Sequence, residues 1–226
     1  MHVPDAEGET PQKVQKIINP LISKALQQLV HSNESVRIQN GLNLVQYLLR
    51  GSADSQHDRE HKYVLKRLIR GAGGSSNASK CGFYTTLVGY LNAFKEKLSL
   101  DEIFKVLDNE LKVSKKTTTK ENADAYIGHI LVISALQKCG MLTKKGKVAK
   151  ALEYVLAASQ QKIYHYKLSY NCLINFLINQ SEDDFKKTLF PFMRDHLSQR
   201  NQYIKNSHLL TYTHNYTTIV RCFFGA

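Results

Sequence analysis

The residues of this sequence that could carry chemistry are few and widely spaced. His57-Asp58-Arg59-Glu60-His61 places two imidazoles one helical turn apart, a spacing that suits two ligands of one metal ion. A zincin helix needs glutamate directly after its first histidine, as the base that activates water. Asp58 holds that place and no third ligand is evident, so the segment reads as a polar helix start. Gly71-Ala72-Gly73-Gly74-Ser75-Ser76 has the glycine density of a phosphate cradle, but it follows a helical pattern rather than a strand and lacks the P-loop lysine. It reads as a turn between two antiparallel helices. Asp183 and Asp184 are adjacent carboxylates of the type a two-metal centre uses, yet behind Ser181 and Glu182 they fit the first turn of a helix, where the dipole favours acids. No Gly-x-Ser-x-Gly elbow anchors a serine nucleophile. Cys81, Cys139, Cys172 and Cys222 form no CxxC pair and read as reduced thiols, mostly in cores. No cofactor or metal is expected, and the chain is not expected to be an enzyme.

Charge carries more information. Lys and Arg number 31 against 19 Asp and Glu, a formal net charge of +12. Such an excess attracts polyanions: nucleic acid, acidic lipid or acidic protein segments. Lys62, Lys66 and Arg70 recur every fourth residue, with Arg67 beside them, and so share one side of a helix. Lys144, Lys145, Lys147 and Lys150 form a second cluster, and Lys112, Lys115, Lys116 and Lys120 a third. Cations in these positions can neutralise phosphates and release counterions; each cluster also fits an ordinary solvated helix face. The first two are the candidate surface for nucleic acid or an acidic partner. Tyr63 alone is no stacking platform, and Tyr154, Tyr164, Tyr166 and Tyr170 read as packing or interface residues.

The elements that position these residues are helical. Prolines stand only at 4, 11, 20 and 191 of the 226 residues, and apolar residues recur with helical period almost throughout. Over Asn33 to Arg50 the spacing puts Ile38, Leu42, Val45, Leu48 and Leu49 on an inward face, with Arg37, Gln39, Asn40, Asn43 and Arg50 outward. A helix over about 58–70 buries Val64, Leu65, Leu68 and Ile69; the next, capped by Ser75 or Ser76, buries Phe83, Leu87, Leu91 and Phe94. Ser99 and Glu102 have capping-box spacing ahead of Ile103, Phe104, Leu107 and Leu111. Lys112 to Lys120 reads as a loop. Tyr126 to Leu136 forms a further helix closed by Gly140, followed by one burying Val148, Leu152, Val155 and Leu156. A helix over about 162–179 and another from Ser181, kinked at Pro191, complete about nine.

These helices pair at intervals of roughly 40 residues, the period of HEAT and armadillo units. The expected fold is all-α, an armadillo/HEAT-like solenoid of antiparallel helix pairs, with a compact bundle as the alternative. Residues 1–15 read as a disordered lead-in, 16–200 as the helical domain, and 201–226 as an irregular tail at a truncated or non-native end. The polar start is no signal peptide and no window is apolar enough to span a membrane, which points to the cytosol or nucleus.

Tyr63-Val64-Leu65-Lys66-Arg67-Leu68-Ile69-Arg70-Gly71, followed by Ser75, Ala78, Lys80 and Gly82-Phe83, resembles the Myb-binding protein 1a / DNA polymerase phi family. The likeness extends over about 36–200, and 62–94 is its specific part. It implies an armadillo-like nucleolar protein, of which this chain would be an N-terminal portion. The family associates with ribosomal DNA, takes part in ribosomal RNA synthesis and ribosome biogenesis, and in animals binds transcription factors as a co-regulator. The resemblance does not carry polymerase activity over, since no polymerase motif stands in the chain. The expected role is therefore a nuclear scaffold for transcription factors and for ribosomal DNA or RNA, with no membrane and no small-molecule substrate. A nucleotide-using enzyme and a purely protein-binding adaptor are the rival readings.

Overall fold

A computed structural model describes residues 18–51, 55–114, 118–142, 145–161 and 163–178, with 187 and 190. Eight helices are assigned among them: α1 Pro20–Gln28, α2 Glu34–Arg50, α3 Ser55–Ala72, α4 Asn77–Phe94, α5 Leu100–Glu110, α6 Thr119–Lys138, α7 Lys145–Ser159 and α8 Ile163–Ile178. The lead-in, the tail and, apart from 187 and 190, the helix expected from Ser181 with its aspartate pair lie outside the described residues.

Local chemistry sets the helix ends. Asn19 caps α1, its side chain accepting from the Leu21 amide at 2.9 Å, with Pro20 preset for the first turn. Asn33 caps α2 in the same way, and Arg37 donates from Nη1 to the carbonyls of His31 and Ser32, both at 2.8 Å, which fixes the α1–α2 turn. Ser76 caps α4 by accepting from the Ser79 amide. The capping box expected at Ser99 is not made: Ser99 is the N-cap of α5 but its side chain makes no cap bond. Thr118 and Glu121 form one at the start of α6 instead. That bonding holds the Glu121 carboxyl below its ordinary range. At the other end of α6, Gly140 has φ +66°, and Met141 N–H reaches back to the Leu136 carbonyl at 3.0 Å, a Schellman closure that favours glycine.

Packing places the helices in two ranks. In one, α2 and α4 run in the same direction: Gly82 lies against Arg37, Gly41 against Thr86 and Gly89 towards Val45. α6 continues the direction beside α4, with Lys80 on Asp124, Tyr84 near Ser134, and Cys139 Sγ–H on the Val88 carbonyl. α8 packs on α6. In the other rank α3, α5 and α7 also share a direction. Arg70 meets Glu110, 40 residues on, and Asp101 and Asp108 meet Lys147 and Tyr154, each 46 residues on. α3 and α4 form an antiparallel hairpin, with Gly71 on the Phe83 ring and His61 on Phe94.

The core runs continuously through both ranks. Leu68, Ile69, Leu87, Leu91, Phe104 and Ile133 are fully buried, each contributing roughly 1.5–3 kcal/mol. The sets expected inward on α3, α4 and α7 are all buried. α2 differs. Its buried residues are Gly41, Leu44, Val45 and Leu48, while Ile38, Leu42 and Leu49 are 53%, 49% and 55% exposed. Gly41 is the cause: without a side chain it lets Thr86 of α4 come close, and α2 turns that side inward. The third lysine cluster is divided, since Lys120 belongs to α6 rather than the loop and Lys115 and Lys116 lie outside the described residues.

Candidate polyanion-binding face

α3 is amphipathic, and its Val64, Leu65, Leu68 and Ile69 side fixes where its cations point. Lys62 and Lys66 are exposed and Arg67 half-buried. Among the described residues, none of the three has a carboxylate within ion-pair distance. Arg70, at the end of the row, differs: its guanidinium reaches Glu110 of α5 at 2.6 Å, with the arginine side chain 63% exposed and the acid 10%. Arg59, three residues before Lys62, joins the same side and bonds to Gln56. It escaped the sequence reading because a four-residue step does not reach it; the alternative helical step of three does. From Arg59 to Arg70 the row is about 16 Å long at 1.5 Å per residue.

The second cluster is arranged for a different task. Lys144 lies outside the described residues, and Lys145 opens α7 without a described side chain. Lys147 is paired with Asp101, and Lys150 lies 3.9 Å from Asp108 and 5.0 Å from the centre of the Phe104 ring. Tyr154 donates to Asp108 as well, and its burial, helped by that carboxylate, pushes its phenol up. These cations close α7 against α5. The sequence signal was available on the acid side, since Asp101 and Asp108, seven apart, must share a face of α5.

The paired histidines are structural. His57 Nε2 is 2.9 Å from the Leu48 carbonyl, which only accepts, so that nitrogen carries the proton. His61 Nε2, 3.1 Å away, then faces it as an acceptor, and His61 Nδ1–H donates to the Tyr90 hydroxyl at 3.0 Å. The chain ties the end of α2 to α3 and α4. Among the described residues no group of three His, Cys, Asp or Glu side chains is placed to hold a metal ion. Burial lowers the His61 pKa, helped by His57 and Lys97. Burial likewise lowers that of His129, whose Nε2–H donates to the Leu111 carbonyl. Cys139 and Cys172 are buried, burial pushing the Cys172 thiol up to about 12, whereas Cys81 is exposed.

His61 and His129 give a pH dependence of defined sign. Their folded pKa values lie below the ordinary 6.5, so as pH falls the unfolded chain takes up protons first and stability declines from about pH 7 downward. Urea midpoints are expected to be lower at pH 5.5 than at pH 7.5, with the difference smaller in His61→Gln. An equal difference in that variant would show that His61 is not among the responsible groups.

The family model for DNA polymerase phi matches residues 63–212. Among curated relatives, a Myb-binding protein 1A-like protein of Danio rerio is 25% identical over 170 residues, covering 74% of this chain and 13% of its own length. The chain thus spans a small part of that relative. No solved structure matches. No helix among the described residues is long and apolar enough to cross a membrane.

Proposed function

Since this chain belongs to the DNA polymerase phi family, we propose that it is a segment of a nuclear, nucleolar helical-repeat scaffold that engages a polyanion, ribosomal DNA or RNA, through α3. The whole scaffold would serve ribosomal DNA transcription, ribosome biogenesis and transcription co-regulation. The successive contacts along α3, α5 and α7, and along α2, α4 and α6, support an armadillo/HEAT-type stack, whose neighbours bury the apolar stripe that no helix pair buries alone. One observation carries the binding assignment. Lys62, Lys66 and Arg67 have no internal partner among the described residues, while Arg70, Lys147 and Lys150 are engaged with carboxylates of α5.

In this reading the segment binds and does not catalyse. Asp101, Asp108, Glu110 and Asp124 are each engaged by a lysine or arginine on another helix rather than converging on one point. Three phosphate contacts give log K a slope of about −2.7 on log salt, an affinity loss of about 40-fold between 50 and 200 mM. Fluorescence anisotropy with labelled duplex DNA and single-stranded RNA measures it. A slope near zero, or partner capture from nuclear extract that nuclease leaves unchanged, would favour a protein-binding adaptor instead.

A further inference from the structure

The rank opposite the α3 cations presents a surface of another kind. Ile38, Leu42 and Leu49 stand out of α2 about half exposed, with Val45 at their inner margin. The step of four from Ile38 to Leu42, and of seven on to Leu49, keeps them in one row of about 16 Å, three helical turns. α4 runs alongside in the same direction and adds the small exposed positions Cys81, Thr85 and Gly89. Lys80 is the only charged residue of α4, and it is buried against Asp124. Phosphate groups would find little to bind along this row.

The row has electrical polarity at its end. Because α2 and α4 run together, their C-terminal ends share one edge, with Arg50 in the last turn of α2 and Lys95 capping α4. Lys97 follows two residues on; all three are exposed, and Glu96 offsets one of them. With a net charge of +12, two copies of this chain repel, which disfavours self-association through the row.

We propose that the α2–α4 face is a docking surface for an amphipathic helix of a partner protein, with apolar side chains at three- and four-residue spacing and acidic residues at the end over Arg50, Lys95 and Lys97. A helix of that design lays its anchors along Ile38, Leu42 and Leu49, and its carboxylates meet the cationic edge. The surface is distinct from the α3 face, so either can fail without the other.

The probe is a labelled 16-residue helical peptide with leucines at three- and four-residue spacing and three glutamates in its first turn. A sister peptide carries lysines in place of the glutamates. The full 226-residue chain is expected to bind the acidic peptide at least about tenfold tighter than the basic one. The double variant L42Q/L49Q is expected to lose about tenfold or more, because two apolar anchors are removed. Its thermal midpoint should stay at the parent's, since both side chains are already half exposed. K95E/K97E should invert the preference between the two peptides. The proposal is overturned by no saturable binding of the acidic peptide, by equal binding of both peptides, or by full binding to L42Q/L49Q. It is overturned equally if sedimentation shows a dimer that L42Q/L49Q dissolves, or if phosphatidylserine vesicles bind and the acidic peptide does not.

Discussion

Gly82→Ala should destabilise the protein by about 3 kcal/mol, at the upper end of what overpacking a core costs. A Cβ at Gly82 would lie 2.0 Å from the Leu29 carbonyl oxygen and 2.9 Å from its carbon. Both are backbone atoms, and Leu29 is itself fully buried where α1 gives way to the turn before α2. Relief requires moving the α1–α2 turn, which Arg37 holds through two carbonyls. For a protein of this size the thermal midpoint should fall by about 6–12 °C. Gly89→Ala is the internal comparison, because the nearest atom a Cβ there would meet is Val45 Cγ2 at 3.9 Å. There the added methyl has room, and exchanging a helical glycine for alanine should stabilise by roughly 0.5–1 kcal/mol. Thermal unfolding followed by circular dichroism reads both. A Gly82→Ala midpoint equal to the parent's would mean that the α1 end does not rest on α4.

Asp124→Ala should cost about as much for a different reason. Lys80 Nζ lies 2.8 Å from Asp124 Oδ1, with the two side chains only 11% and 18% exposed. The pair joins the first turn of α4 to the first turns of α6. Removing the carboxylate leaves an ammonium ion in a site with little water, which costs about 3 kcal/mol. Replacing both, as Lys80→Met with Asp124→Leu, removes the stranded charge and should return stability to within about 1 kcal/mol of the parent. Denaturant unfolding of Lys80→Met, Asp124→Leu and the double variant closes the cycle. A single variant as mild as the double would show that the pair is solvated and structurally dispensable.

The parts of the fold that were legible in the sequence are those governed by one helix's own periodicity. Val64, Leu65, Leu68 and Ile69 on α3 are buried because a sharply divided helix has one way to face a core; Phe83, Leu87, Leu91 and Phe94 on α4 are buried as large apolar side chains at helical spacing in a helix packed on α2, α3 and α6. α2 was not legible to the same depth. Its apolar residues cover a wide arc, and Gly41 decides which part meets α4, a choice that depends on Thr86 in another helix. Capping boxes show the same limit: Ser99/Glu102 and Thr118/Glu121 share a spacing, and only the second closes. The two basic clusters look alike along the chain. What separates them is Asp101 and Asp108, 46 residues from their partners in α7, a distance that no local pattern spans. The same long-range pairing turns Arg70 from a free cation of the α3 row into a link to α5.

That contrast between free and engaged cations supplies the decisive measurement. K62E/K66E/R67E and K147E/K150E reverse three and two cations of the same basic protein, and anisotropy with labelled duplex DNA over a salt series compares the loss per reversed cation. The α3 variant should keep the parent's thermal midpoint and lose most of its affinity, the slope of log K on log salt shrinking by about 2–3. The α7 variant should melt earlier, because glutamates would then face Asp101 and Asp108, while keeping the greater part of the salt-dependent binding. Equal losses of affinity per reversed cation in the two variants, or a slope that K62E/K66E/R67E leaves intact, would contradict the assignment of polyanion binding to α3.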